Sequence, residues 1–144
     1  MRKQLHYSLI VLLGWSFVGC AAAHNAEATE HFNRGLDYRA QRQSDLAIEE
    51  FTKAIELDPQ YELAYYNRGL AYYFKSDLAR SLADLGKAIE IDPNNAYWYF
   101  DRGFIYLEFG ATEKGIADLE RARELGLAPD DRQRVEEVLA QMGR

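Results

Sequence analysis

Side chains that could carry out catalysis or hold a metal are few and scattered. His24 and His31 lie seven residues apart, a spacing that could bring them together on a helix, but no cysteine or carboxylate cluster completes a site. The acidic pairs Glu49-Glu50 and Glu136-Glu137 are typical of solvated helix faces. The glycines recur periodically and form no phosphate-binding loop. Because catalysis needs a positioned nucleophile, base or metal, we predict no enzyme activity, no metal and no cofactor.

Cys20 is the only cysteine, so a disulfide within the chain is excluded. Arg2 and Lys3 precede an apolar run that is too short for a comfortable membrane span and lies where an export signal would. The end of this run, Phe17-Val18-Gly19-Cys20, resembles a bacterial lipobox. That resemblance implies cleavage before Cys20 and acylation of its sulfur and its new amino group. Residues 1–19 would then be a lipoprotein signal peptide, and the palmitate-type anchor would sit on Cys20.

Two alternatives to lipidation remain open. Ala21-Ala22-Ala23 forms a small-residue cleavage site, and cleavage before His24 would release a soluble exported protein. An uncleaved anchor is the other alternative. In the lipoprotein interpretation, residues 20–27 form a tether that spans about 15 Å. Alanine after the cysteine goes with outer-membrane sorting in related lipoproteins, so we expect the protein in the bacterial cell envelope, at the outer membrane facing the periplasm.

The charge balance argues against nucleic acid as a partner. The chain has a formal net charge of −6. Residues 1–19 contain two basic and no acidic residues, so the remainder has 15 basic and 23 acidic residues and a charge of −8. General nucleic-acid binding needs a basic patch. The same negative charge is repelled by anionic headgroups, so membrane attachment would depend on acyl chains.

A period of 34 residues organises the chain from residue 28 onward. Glycine, arginine, tyrosine and alanine each recur three times at this spacing, at Gly35/Gly69/Gly103, Arg34/Arg68/Arg102, Tyr38/Tyr72/Tyr106 and Ala54/Ala88/Ala122. Apolar residues at steps of 3 and 4 predict two amphipathic helices in each period. A helix pair with one apolar side cannot bury that side alone, so the period predicts stacked pairs rather than a single globular core.

Helix boundaries follow from breakers and caps. Pro59 and Pro93 cannot continue a helix, and Ser44, Ser76 and Thr112 are candidate N-caps of the second helices. We predict six helices, at 29–41, 45–57, 62–75, 77–91, 96–109 and 113–125. One further apolar stripe predicts a seventh helix that closes the last unit and is formed by Val135, Val138, Leu139 and Met142.

These repeats resemble the tetratricopeptide (TPR) family. The match is carried in units 28–61, 62–95 and 96–129 by His31, Gly35, Tyr38, Ala47, Phe51, Ala54 and Pro59, by Tyr65, Gly69, Tyr72, Ser81, Leu85, Ala88 and Pro93, and by Tyr99, Gly103, Tyr106, Gly115, Leu119 and Ala122. His31 stands where the family has a large apolar residue, and Leu127 where it has proline. The resemblance implies an all-α solenoid of three helix-turn-helix repeats, with residues 130–144 as a C-terminal capping helix.

In TPR arrays the first helices of the units line a concave groove that binds peptides. Carried over to this chain, the groove residues would be Phe32, Leu36, Arg39, Leu63, Tyr66, Leu70, Tyr73, Phe74, Tyr97, Phe100, Phe104 and Glu108. The preferred contacts are Tyr66, Tyr73, Tyr97 and Phe104, and the preferred polar selectors are Arg39 and Glu108. The alternative is that many of these rings pack between helices as core.

Chaperone-binding TPR domains grip a carboxylate with five conserved positions, and this chain lacks that clamp. Four of the positions hold Phe32, Leu36, Tyr97 and Asp101, and only Asn67 fits. We therefore expect a membrane-anchored adaptor that recruits another protein or peptide, similar to bacterial TPR lipoproteins that scaffold envelope proteases and peptidoglycan hydrolases or help assemble pilus secretins. The alternative is a structural subunit that forms homo-oligomers through its uncapped N-terminal repeat, where Phe32 and Leu36 would be open.

Overall fold

The computed structural model describes residues 24–143, and within that range the regular structure is entirely helical. The seven helices are α1 (Ala26–Ala40), α2 (Ser44–Leu57), α3 (Glu62–Phe74), α4 (Leu78–Ile91), α5 (Ala96–Glu108), α6 (Thr112–Leu125) and α7 (Pro129–Gln141). The predicted signal peptide and Cys20 lie outside the described residues. The predicted all-α solenoid is confirmed.

Helix starts differ in detail from the prediction. The side chains of Asn25, Asp77 and Asn95 cap α1, α4 and α5 by accepting hydrogen bonds from backbone N–H groups. The predicted caps Ser44, Ser76 and Thr112 are wrong. Ser44 and Thr112 are already helical, and Ser76 has a φ of 60°, so Asp77 takes over the capping role. Helix α1 begins at Ala26, three residues earlier than predicted, and includes the end of the expected tether.

Successive helices pack in pairs, α1 with α2, α3 with α4 and α5 with α6, and the pairs stack in chain order. The repeated glycines permit this close packing. A Cβ atom at Gly35 would lie 2.5 Å from the Phe51 ring, and one at Gly103 would lie 2.9 Å from the side chain of Leu119. Both distances are shorter than carbon atoms tolerate. Two helices of a pair therefore approach each other where the sequence has glycine.

Two clusters of buried residues lie in the first and third units of the described chain. The first surrounds Phe51 and includes Tyr61 and Ala64 from the start of the second unit. The second surrounds Leu119 and includes Val135 and Leu139, which α7 buries against the third unit. Helix α5 packs less extensively against α4 than α3 does against α2. Stacking of α7 on the last repeat agrees with its predicted capping role.

Candidate functional site

Helices α1, α3 and α5 carry the residues that were predicted to line the groove, and they differ widely in exposure. Phe74 is 69% exposed, Tyr97 40% and Leu63 37%. Glu108 is also exposed. Intermediate exposure is found at Leu36, Arg39, Tyr66, Leu70, Tyr73 and Phe104. Among the predicted groove residues, the large exposed apolar side chains therefore lie on α3 and at the start of α5.

Phe32 and Phe100 are buried, so their assignment to an open groove is corrected. The ring of Phe32 lies 4.9 Å from that of Tyr61 and 5.8 Å from that of Phe51, between their centroids. The expectation that the uncapped first repeat leaves Phe32 open is therefore wrong. Phe100 packs edge-on against Phe104, with 4.8 Å between ring centroids. Both phenylalanines belong to the core.

Helix α7 contacts aromatic side chains of α5 in the third unit. The guanidinium carbon of Arg134 lies 4.4 Å from the ring centroid of Phe104 and 5.8 Å from that of Phe100. A cation stacked on an aromatic face is attracted by the ring quadrupole. This contact covers part of Phe104, which was one of the preferred contact residues. Arg134 lies outside the 34-residue repeats, so the repeat pattern gave no signal of this stacking.

Tyr66, another preferred contact residue, is used inside the protein. Its ring packs on that of Trp98 at 4.2 Å between centroids, and its hydroxyl donates a hydrogen bond to the Asp101 carboxylate. Burial raises the pKa of the Tyr66 hydroxyl, and the nearby Asp101 raises it further. Burial also raises the pKa of Asp101, although the hydrogen bond from Tyr66 acts against that increase. This pair joins the second and third units.

The two predicted polar selectors are also paired within the array. Arg39 donates a hydrogen bond to the side-chain oxygen of Asn67, which is itself buried. The Tyr73 hydroxyl donates to Glu108 Oε2 at 2.5 Å, and this hydrogen bond raises the pKa of Tyr73. Polar side chains on the first helices therefore link neighbouring units, from α1 to α3 and from α3 to α5.

The periodic arginines pair with the carboxylate 16 residues later in each unit. The contacts are Arg34–Glu50 at 2.8 Å, Arg68–Asp84 at 2.7 Å and Arg102–Asp118 at 2.7 Å. Burial alone would raise the pKa of Glu50, but hydrogen bonds from Arg34, Lys53 and His31 outweigh it and lower the pKa to about 2. These arginines hold the two helices of a unit together.

The two histidines of the described chain have separate partners. His24 Nδ1 lies 2.7 Å from Asp58 Oδ2, and its ring stacks on Tyr61 with centroids 3.8 Å apart. His31 Nδ1 lies 2.8 Å from Glu50 Oε2. Within residues 24–143, no group of three or more histidine, cysteine or acidic side chains is arranged to hold a metal ion. His24 thus joins the start of α1 to the loop between α2 and α3, and His31 joins α1 to α2.

Two protein-family models match parts of this chain. Residues 35–76 match the family model described as TPR repeat, and residues 63–95 match the one described as tetratricopeptide repeat. The chain has the tetratricopeptide repeat fold. A comparison with curated proteins finds no match. Within the described TPR array, no helix combines the length and the apolar composition that crossing a bilayer requires.

Several solved TPR domains share the fold. The first TPR of Spaghetti (RPAP3), bound to the HSP90 peptide SRMEEVD, is 24% identical, with a TM-score of 0.70 and coverage of 79% of this chain and 94% of that one. TPR2B of yeast Sti1, in a pHsp70 complex, is 22% identical, with a TM-score of 0.75 and coverage of 82% and 99%. The Sgt2 TPR domain from Aspergillus fumigatus is 17% identical, with a TM-score of 0.72 and coverage of 85% of both chains.

Proposed function

We propose that this TPR protein is a non-enzymatic adaptor that binds a protein or peptide partner through the exposed apolar face of its first helices. The observation that carries the proposal is Phe74. It is a large aromatic residue, 69% exposed, inside a repeat array whose other aromatic side chains mostly pack or pair. Leu63 precedes Leu70 by seven residues and Leu70 precedes Phe74 by four, so all three lie on the same face of α3. Contiguous exposed apolar surface marks interaction sites.

The peptide complexes of the similar TPR domains support this class of function. Spaghetti (RPAP3) and Sti1 are described with bound HSP90 and Hsp70 peptides. Their ligand chemistry is not carried over, because four of the five clamp positions of this chain hold aromatic, apolar or acidic residues. Phe32 is buried in the core and Asp101 is a carboxylate, so neither can grip the C-terminal carboxylate of a peptide.

We further propose that acylated Cys20 anchors the adaptor in the bacterial envelope, at the outer membrane facing the periplasm. The support is the lipobox-like sequence ending at Cys20. Helix α1 starts at Ala26, and His24 already contacts Asp58. The anchor would therefore be joined to the array through a very short segment, and the repeats would lie close to the bilayer. The soluble form cleaved before His24 is the alternative.

A crosslinking experiment in cells tests the binding proposal. A photoreactive phenylalanine analogue replaces Phe74 in the full-length chain, and the matched control carries it at Phe109, which is 51% exposed at the end of α5. We expect a discrete crosslinked partner from position 74 and not from position 109. Equal crosslinking from both positions, or none from position 74, would refute the proposal. Palmitate labelling that survives Cys20→Ala would separately refute the anchor.

A further inference from the structure

The arrangement of free apolar and paired polar side chains indicates what kind of segment this surface accepts. We propose that the partner presents an amphipathic α-helix with a basic polar face, which lies along α3 with its apolar side down. The inference rests on the proposed adaptor function and specifies its ligand. We name the receiving surface the α3 stripe, which consists of Leu63, Leu70 and Phe74.

The α3 stripe runs along one helix rather than across the repeats. Leu63 and Phe74 are eleven residues apart in α3, which corresponds to about 16 Å along the helix axis. Tyr97, which occupies in α5 the repeat position that Leu63 occupies in α3, is also exposed. Toward the third unit, Arg134 covers the Phe104 ring. A partner helix of about three turns has the same length and presents apolar residues at matching intervals.

The polar side chains of this face are poorly available for hydrogen bonds with the backbone of an extended peptide. Three hydrogen bonds occupy them, Arg39 to Asn67, Tyr66 to Asp101 and Tyr73 to Glu108. An extended segment pressed onto the α3 stripe would turn backbone N–H and C=O groups toward leucine and phenylalanine. Unpaired polar groups removed from water are costly. A helix satisfies its own backbone, so it can bury an apolar side without this penalty.

Charge complementarity determines the polar face of the partner helix. Glu62 begins α3, and Glu108 lies at the other end beside Tyr73. Of the nearby cations, Lys75 is paired with Asp45, Arg39 donates a hydrogen bond to Asn67, and Arg134 stacks on the Phe104 ring. The whole chain has a formal net charge of −6. Lysine and arginine flanking the apolar stripe of the partner would therefore be attracted, and acidic flanks would be repelled.

Two synthetic peptides of identical composition test the inference. Both are about 15 residues of leucine and lysine. One has leucine at every third or fourth position, which creates a helical stripe, and the other has the same residues scrambled. Binding to the purified full-length protein is measured by fluorescence anisotropy, and helix formation by circular dichroism. We expect the striped peptide to bind at least about tenfold more tightly than the scrambled one and to gain helix on binding.

Variants of the protein show whether the peptide uses the α3 stripe. Phe74→Ser should weaken binding of the striped peptide by about tenfold or more, because it removes an anchor. The matched variant Phe109→Ser replaces an exposed phenylalanine outside the stripe and should change binding less than about twofold. Equal losses in the two variants would overturn the inference, as would equal binding of the striped and scrambled peptides.

The remaining outcomes separate this inference from the adaptor function itself. Tighter binding of the acidic peptide SRMEEVD than of the striped peptide would overturn the helical, basic ligand and leave an adaptor with a different ligand. Self-association that Phe74→Ser abolishes would mean that a second copy covers the stripe, which also overturns the inference. If the striped peptide binds as expected but position 74 crosslinks to nothing in cells, the adaptor function fails while the ligand preference stands.

Discussion

Replacing Gly115 with alanine should destabilise the fold, whereas the same replacement at Gly86 should stabilise it. Both glycines lie inside second helices, Gly115 in α6 and Gly86 in α4. A Cβ atom at Gly115 would lie 2.6 Å from Leu107 Cδ2 and 2.9 Å from the backbone oxygen of Gly103. At Gly86 the nearest neighbour would be Arg102 Nη1 at 3.7 Å, which is an ordinary contact distance. Both sites lie in the second helix of a repeat, but only Gly86 has space for a Cβ atom.

The expected magnitudes follow from two opposing contributions. Alanine stabilises a helix interior by about 1 kcal/mol relative to glycine. Adding a methyl group to a filled site costs about 1–3 kcal/mol, and the upper part of that range applies to Gly115, because a backbone oxygen cannot rotate away. Gly115→Ala should therefore lower the free energy of unfolding by about 1–2 kcal/mol. Gly86→Ala should raise it by about 0.5–1 kcal/mol.

Urea unfolding followed by far-ultraviolet circular dichroism measures both variants against the wild type. With a slope of about 1–3 kcal/mol per molar urea, the midpoints of the two variants should differ by about 1 M. Because repeat arrays can unfold in more than one step, equal slopes must be verified before the midpoints are compared. The double variant Gly115→Ala/Leu107→Ala is a control that removes the side-chain part of the clash and leaves the clash with the backbone oxygen.

The other two units make this a sharp test of the packing argument. Ala47 and Ser81 occupy the positions equivalent to Gly115, so the first two units accept a Cβ atom there. In the third unit the Leu107 side chain and the Gly103 carbonyl oxygen occupy the space that a Cβ atom would need. If Gly115→Ala were as stable as Gly86→Ala, a Cβ atom would fit at position 115 as it does in the other two units. The inference that its glycine is required for close approach would then be wrong.

Two further predictions concern ionisable groups in the array. Because the pKa of Glu50 is lowered to about 2, its ion pairs stabilise the fold above the ordinary carboxyl pKa, and that contribution is lost as pH falls from about 4.5 toward 2. The shift corresponds to about 3 kcal/mol at most, which screening of the 41%-exposed Arg34 and the 40%-exposed Lys53 reduces to about 1–2 kcal/mol. The urea midpoint of Glu50→Gln should fall less than that of the wild type over this pH window, and parallel curves would contradict the assignment. Tyr66→Phe should cost about 1–2 kcal/mol at pH 7, because Asp101 loses a donor. Since burial raises the pKa of Asp101, protonation should shrink this deficit near pH 4, and a deficit that is constant with pH would be evidence against the pairing.

Much of the architecture could be predicted from the sequence, because the features that fix it are periodic. Close approach at Gly35 and Gly103 requires glycine, and the stripe of Val135 and Leu139 requires a surface to cover. Helix starts were less predictable because neighbouring capping residues compete. Asp77 succeeds where Ser76 does not, since Ser76 adopts a left-handed conformation in the turn.

The candidate site was predicted less well, because the periodic pattern specifies a helix face and not what covers it. Tyr61 covers Phe32 from a loop, and Arg134 covers Phe104 from α7, where the repeat pattern no longer applies. The Tyr66–Asp101 and Tyr73–Glu108 pairs are each 35 residues apart, one more than the period. Hydroxyl and carboxylate groups have several potential partners at that separation, and only the packed structure selects among them.

The repeat register also explains why α1 needs no further helix to cover its outer face. Ala64 and Trp98 are equivalent positions that are buried against the preceding unit, and so are Ala71 and Ile105. In the first unit the same two positions hold Glu30 and Asp37, which are exposed. A face that carries carboxylates at its stacking positions needs no further helix to cover it, and α7 covers the opposite end. Self-association through these positions of the first repeat is therefore disfavoured, whereas Phe74, which is 69% exposed, remains available to another protein.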